Sequence, residues 1–287
     1  KKLVKISAFH FEYSIFEKIY YSMKKYICII FILTTIFLSC STNKDNFEVK
    51  GTIKNSKNEK VYISRLTTTE KILTDSCYTD ANGNFSLSGK TTDPSFFVLN
   101  TLNSDYIHLV IHPKDKINII TNIQNFNTEY IVEGSGDSKL IKKLVDKQRL
   151  TLEKITSLSI KFNNIKGDPE FFQRKAEIDS TYNLIFEDHK NFSKEFIIKN
   201  PNSMVSIMAL YQQLGKNAPV FDYKKDFRYF NLADSNLTSL YPNSDAVKSL
   251  NKKVVEIREQ MKLDIGATIP DISLPDPEGN IISLSAL

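Results

Sequence analysis

Three cysteines and four histidines are the side chains of this 287-residue chain best suited to covalent, redox or metal chemistry. Their spacing decides how much of that chemistry is open to them. The cysteines are Cys28, Cys40 and Cys77, and no two of them form Cys-x-x-Cys. Thiol–disulfide exchange uses one thiolate to attack and a second thiol to resolve the mixed disulfide, and that pair is missing. Cys77 lies in a β-rich run with Asp75 and Asp80 close by. Negative neighbours raise a thiol pKa, so Cys77 is expected as an inert, buried small residue. His108 and His112 fall on one face of a strand, roughly 13 Å apart at about 3.3 Å per residue. That is too far to share one metal. His189 sits on an apolar helical stripe and is expected as a packed, hydrogen-bonded core histidine. Asp80-x-Asn82-Gly83-Asn84 lacks the glycine spacing and the final Glu of a calcium loop, so a turn is expected there. No Ser/His/Asp set, carboxylate pair or phosphate loop stands out. No catalytic, cofactor-binding or metal-ligating residue is expected, and no cofactor.

Cys40 has a different chemistry in prospect. Met23-Lys24-Lys25 opens a positive segment, and Tyr26 to Leu38 is an uncharged, mostly apolar run of 13 residues. That is too short for about 30 Å of hydrocarbon but suits a signal peptide. It ends in Phe37-Leu38-Ser39-Cys40-Ser41, which resembles a bacterial lipoprotein cleavage site. The resemblance implies lipidation of Cys40, which becomes the mature N-terminus, with residues 41–46 as a polar tether. Phe37 stands where Leu is usual. The alternative is an ordinary secretory signal, or one uncleaved membrane helix. Residues 1–22 are expected to be upstream sequence read in frame, the alternative being a genuine N-terminal extension.

The net charge of +5 belongs to this leader. Six lysines and two glutamates fall in residues 1–40, which leaves 32 basic against 31 acidic side chains in the rest. A nearly neutral body without a basic stripe argues against a nucleic-acid partner.

The elements that would position any site fall into two blocks. From Asn46 to Gly136, eight short β-rich runs alternate with turn clusters, which predicts a β-sandwich or barrel. The runs are 47–54, 60–66, 71–79, 84–89, 95–101, 106–111, 116–121 and 129–132. Asn82-Gly83 predicts a hairpin with a type I′ turn, since Asn and Gly tolerate the two positive φ angles it needs. Phe96, Phe97 and Val98 are expected in the core, the alternative being that they line a ligand groove. From Asp137 to Leu263 the apolar period changes to about 3.6 residues. One stripe runs through Ile141, Val145, Leu152, Ile155 and Phe162. Asp168-Pro169-Glu170 predicts an N-cap, a Pro at N1 and an acidic first turn. Asn200-Pro201-Asn202-Ser203 is expected to break the second helix and cap the next, which packs through Met204, Ile207, Met208 and Tyr211 and which Gly215 closes. A short helix with Tyr223, Phe227 and Phe230 follows, then a last one through Val247, Leu250, Val254, Ile257 and Met261. The fold class is α+β, with domains at 47–136 and 137–263.

The last stretch, Gly266 to Leu287, has two apolar alternations around Asp276-Pro277-Glu278-Gly279-Asn280, a hairpin signal. Its order, G-x-x-x-P-D-x-x-L-x-D-x-x-G-x-x-x-x-L-S-x-L, resembles the opening of thioredoxin-like domains of the TlpA-like and peroxiredoxin (AhpC/TSA) families. Residues 264–287 are thus expected to be the start of such a domain, truncated before its redox cysteines. The β-rich landmarks, Phe47 to Ile53, Asp75-Ser76, Asp80 with Gly83-Asn84-Phe85, Gly89 and Val132-Glu133-Gly134-Ser135, resemble a domain of unknown function that precedes thioredoxin-like domains in envelope lipoproteins. His112-Pro113-Lys114-Asp115 departs from its usual acidic-Pro-Gly turn. Pro201-Asn202-Ser203 through Tyr211, and Tyr241 to Ser244, resemble the helical region between the two.

These resemblances imply the N-terminal portion of a membrane-anchored thiol–disulfide oxidoreductase, itself inactive, lipid-anchored in the cell envelope and facing the periplasm. Its partners would be the membrane, envelope protein disulfides or a membrane thiol reductant. The alternative is a non-catalytic envelope lipoprotein that binds a protein, peptide or glycan.

Overall fold

The computed structural model describes residues 45–103, 106–262, 271–283 and 285. Cys28, the 13-residue apolar run and Cys40 lie outside the described residues. Eight strands form two four-stranded sheets, followed by a helical block, in the expected α+β class. The strands are β1 Asn46–Lys54, β2 Lys60–Leu66, β3 Lys71–Tyr78, β4 Asn84–Lys90, β5 Ser95–Thr101, β6 Ile107–Ile111, β7 Lys116–Asn122 and β8 Ile131–Glu133. One sheet runs β4-β1-β7-β8 and the other β3-β2-β5-β6. The β1–β7 pair is parallel; the remaining pairs are antiparallel.

Period-two alternation explains the sandwich. Phe47, Val49 and Ile53 of β1 point inward and are buried with Val61, Ile63, Phe97, Leu99, Leu109 and Ile111 of the facing sheet in a single core. At the inward position between Val49 and Ile53, Gly51 makes room for its neighbours. A Cβ there would come within 2.9 Å of the Phe85 ring and 2.0 Å of the Ile119 carbonyl oxygen.

The Asn82-Gly83 turn departs from the expectation. It joins β3 of one sheet to β4 of the other, and those strands form no ladder. Gly83 alone takes a positive φ, +82°, and its N–H reaches the Asp80 carbonyl. The Asp80 carboxylate accepts from the backbone N–H groups of Asn82 and Asn84, each at 2.8 Å. An Asx turn thus does the bending, so only one left-handed residue is needed. Beyond it, β3 side chains accept the outward N–H groups of β4. Asp75 takes Ser88 N–H at 2.8 Å, and the Cys77 thiol takes that of Ser86. An exposed strand edge is thereby closed without a continuous sheet.

The helices are α1 Gly136–Asn164, α2 Phe171–Lys199, α3 Val205–Leu210, α4 Phe227–Leu240 and α5 Asp245–Lys262. Among the described residues no helix is long and apolar enough to cross a membrane. Three boundaries differ from the periodicity. Asp168 accepts from Glu170 N–H in a turn, and α2 starts at Phe171. Helix α3 ends at Leu210, five residues before Gly215, which sits at φ +126° in a bridged turn. Helix α4 begins at Phe227 and is longer than expected, burying Tyr229, Phe230, Ala233 and Leu237.

The helical block meets the sandwich at β6. Ser138 Oγ accepts Val110 N–H at 3.2 Å and donates to Val110 O at 2.8 Å. Ser135, the N-cap of α1, donates to the same oxygen at 3.1 Å and accepts Ser138 N–H. The edge of β6 is satisfied by the first turn of a helix, and the Val110 side chain is buried in the helical core. Ser138→Ala takes the hydroxyl partner away from a buried N–H, which costs about 1–3 kcal/mol. The urea midpoint should fall accordingly, while Ser157→Ala, at an exposed position of the same helix, should leave it unchanged. Equal midpoints for both variants would show that the clamp carries no stability.

Candidate functional site

Strands β5 and β6 are apolar on both faces. Phe97, Leu99 and Leu109 look into the sandwich, while Phe96, Val98 and Val110 look out. A sheet with two apolar faces needs a second layer. Helices α1 and α3 supply it only in part. Between them and the sheet lies a cleft of about 520 Å³. Leu66, Phe96 and His108 line it from the sheet, and Ile207, Met208 and Tyr211 from α3 and its end. Gln148 of α1, then Gln212, Gln213 and the Ser244–Ala246 start of α5, complete the wall, with Arg65, Thr67, Thr68 and Ser95 at its other side.

His108 stands out in this lining. Its Nδ1 is buried and has no hydrogen-bond partner among the described residues. Burial pushes its pKa down, so the ring is neutral at pH 7. A buried polar atom left unpaired is costly, and this one belongs to a residue of the cleft lining. Tyr211 packs edge-on to Phe230, 6.0 Å between ring centroids, and burial first, then Tyr223 and Glu256, push its hydroxyl up to about 12. It remains a phenol at neutral pH.

The wall is held from behind. His189 is fully buried and bonded at both nitrogens, to Thr151 Oγ1 at 3.0 Å and to Gln212 Oε1 at 3.1 Å. Burial lowers its pKa, and Nε2 faces the acceptor Gln212 Oε1, while Thr151 Oγ1 also donates to Lys147 O. Gln212 in turn donates to Gln148 Oε1, and Gln148 donates to Gln213 O. His189 is therefore the core histidine expected from its stripe, with the added effect of fixing two glutamines of the cleft.

The arrangement suits binding. A hydroxyl nucleophile needs a base within hydrogen-bond reach. Ser95 Oγ is engaged instead by Asp93 O and Thr91 Oγ1. Among the described residues no three His, Cys, Asp or Glu side chains are placed to hold a metal ion.

The structure separates the other candidates. His112 lies past the end of β6 at the sheet–helix seam, where Nε2 meets Asp137 Oδ2 at 3.0 Å. Asp137 Oδ1 accepts from Ser203 Oγ at 2.6 Å, and Ser203 Oγ accepts Val205 N–H. Asp137 thus ties β6, α1 and α3 together. Cys77 is half-buried on β3 rather than fully buried. Burial pushes its thiol up, the Ser86 N–H opposes that, and Asp75 adds to it. The Asp80 loop is a turn. Phe96 lines the cleft, the alternative to its expected core place, while Phe97 is core. The readable signal for the cleft was the run Phe96-Phe97-Val98-Leu99, which fills both faces of one strand.

The terminal hairpin pairs β9 Ser273–Pro275 with β10 Ile281–Ser283. Its turn repeats the Asp80 design. Asp276 accepts from the N–H groups of Glu278 and Asn280, and Gly279 sits at φ +87°. Ile272, Leu274, Ile281 and Ile282 are all exposed.

Residues 47–141 match the family described as Domain of unknown function (DUF4369). The match runs through both sheets and into the first turns of α1, so it includes Val110, Ser135 and Ser138. No curated protein sequence matches the chain.

The seam has a pH dependence of definite sign. Hydrogen bonding to Asp137 raises the His112 pKa, burial lowers it less, and Asp137 and Asp115 charges add to the rise. Tyr241, the ring that faces His112, has its own pKa raised by burial. A folded pKa above the unfolded value of about 6.5 means that the pair stabilises fully below that pH. The contribution is lost as pH rises through the raised folded value. Urea midpoints from about pH 5.5 to 9 should fall more in the native chain than in His112→Gln. Parallel profiles would mean that the pair contributes nothing.

Proposed function

We propose that this chain is the ligand-holding, non-catalytic portion of an envelope lipoprotein that works in thiol–disulfide exchange. In this reading Cys40 carries the lipid anchor, residues 45–262 face the periplasm, and the Gly266–Leu287 stretch opens a thioredoxin-like domain. The observation that carries the binding role is the 520 Å³ cleft between the sheet and the helices. Its size and the mostly apolar surface it exposes are those of a ligand site.

The redox class is supported by the motif in the last stretch. A hairpin with four exposed apolar side chains has the surface of a sheet margin that expects further strands. Cys77 does not supply the chemistry itself, because a nucleophilic thiol needs a lowered pKa and this one is raised. Residues 41–287 should therefore reduce insulin no faster than dithiothreitol alone. A rate clearly above that blank, abolished by Cys77→Ser, would place a catalytic centre on β3 and overturn the division of labour.

The binding role has its own test. The chain contains no Trp, so Gln213→Trp places a lone fluorophore at the rim of the cleft. Titration with N-acetyl-Leu-Ala-Phe, as acid or amide, or with octanoate should change its emission saturably. Met208→Arg, which puts a charge in the apolar wall, should abolish the change. No saturable response to any of the three probes would remove the binding role.

A further inference from the structure

The charged side chains in the cleft lining are Arg65 and Asp245. Arg65 pairs across the strands with Phe97, whose ring is buried in the sandwich core. Directly paired residues share a face of the sheet, so the guanidinium leaves on the side away from the cleft. Asp245, in the first turn of α5, is exposed at the opposite wall. His108 is neutral, and its unpaired nitrogen is itself buried. Among the described residues, the lining thus presents one negative charge to the space and no cation.

Thr67, Ser95, Gln148 and Gln212 of the lining are engaged within the protein. Thr67 Oγ1 donates to Glu70 O at 3.1 Å and accepts Glu70 N–H at 3.0 Å. Ser95 Oγ is held by Asp93 O and Thr91 Oγ1. Gln148 and Gln212 bond to each other, to Gln213 O and to His189. The larger share of the surface that the cleft exposes is apolar, with Leu66, Phe96, Ile207 and Met208 in it.

A carboxylate entering this space gives up its water and gains no cation. The Asp245 charge adds repulsion. A hydroxyl or a terminal amide gives up much less, while the apolar body of the ligand gains from burial in either case. Met208 contributes a flexible thioether that can follow an irregular apolar outline.

We infer that the cleft takes an uncharged, largely apolar small molecule and turns away the corresponding acid. This rests on the binding role proposed above and names its ligand class.

The test uses the full chain with the Gln213→Trp reporter and two matched pairs of probes at pH 7. One pair is octanol and octanoate; the other is N-acetyl-Leu-Ala-Phe amide and its acid. In each pair the uncharged member should bind about tenfold or more tightly, a difference of about 1.4 kcal/mol. Asp245→Lys puts a cation at the exposed rim. It should tighten octanoate and leave octanol where it was. Should Asp245→Lys fail to fold, judged by its urea transition, the two ratios on the native side chains decide alone. Acid and uncharged members binding alike, or the acids binding better, would overturn the ligand class and leave the binding role standing. An octanol-to-octanoate ratio unmoved by Asp245→Lys in a folded variant would overturn the assignment of that selection to the charge of the lining. Silence with all four probes would instead remove the binding role itself.

Discussion

The clamp on Val110 fixes the relation between the two halves of the structure. An edge strand has free N–H and C=O groups that must be covered or left to water. Here one residue of β6 is bonded on both groups by the Ser135 and Ser138 hydroxyls of α1. The same residue buries its side chain among the helices. Close by, Asp137 holds His112 on one side and Ser203, just ahead of α3, on the other. The sheet face and the helical wall are therefore positioned by short, directional bonds rather than by apolar contact alone. The cleft lies alongside this seam, so its width follows from the same bonds.

A second set of bonds keeps the helical wall from collapsing into that space. Gln212 and Gln148 would be free to turn if they were only surface side chains. His189 and Ser193 hold Gln212 from behind, and Gln148 is bonded to Gln212 and Gln213. A buried polar network of this kind rigidifies when every member is satisfied. His108 is the exception across the cleft, with a buried nitrogen that has no partner among the described residues. The two histidines therefore differ in kind, one bonded at both nitrogens and one with a nitrogen left unpaired.

Much of this architecture could be read from the sequence because one side of most elements faces water. The alternation in β1 and the heptad-like stripe of α5 both translated directly into buried Val49, Ile53, Val247 and Val254. What could not be read was tertiary. Asn82-Gly83 has the composition of a hairpin, but Asp80 takes over the turn and sends β4 to the other sheet. Asp168 has the composition of a helix cap, but it bonds Glu170 ahead of the helix. His108 and His112 look equivalent along a strand. Only the placement of α1 gives His112 a carboxylate and leaves His108 without one. A cleft between two layers has no linear signature beyond the double-faced run at Phe96.

The proposed ligand enters between Phe96 and α3, and methionine methyl spectroscopy reports that place directly. The chain has four methionines, of which Met208 lines the cleft, Met204 is fully buried and Met261 lies near the end of α5. With ¹³C-labelled methionine methyls, saturating N-acetyl-Leu-Ala-Phe amide should shift the Met208 signal and leave Met261 in place. A shift at Met261 with Met208 unmoved, or no shift at either, would contradict the claim that the seam between sheet and helices is a binding site.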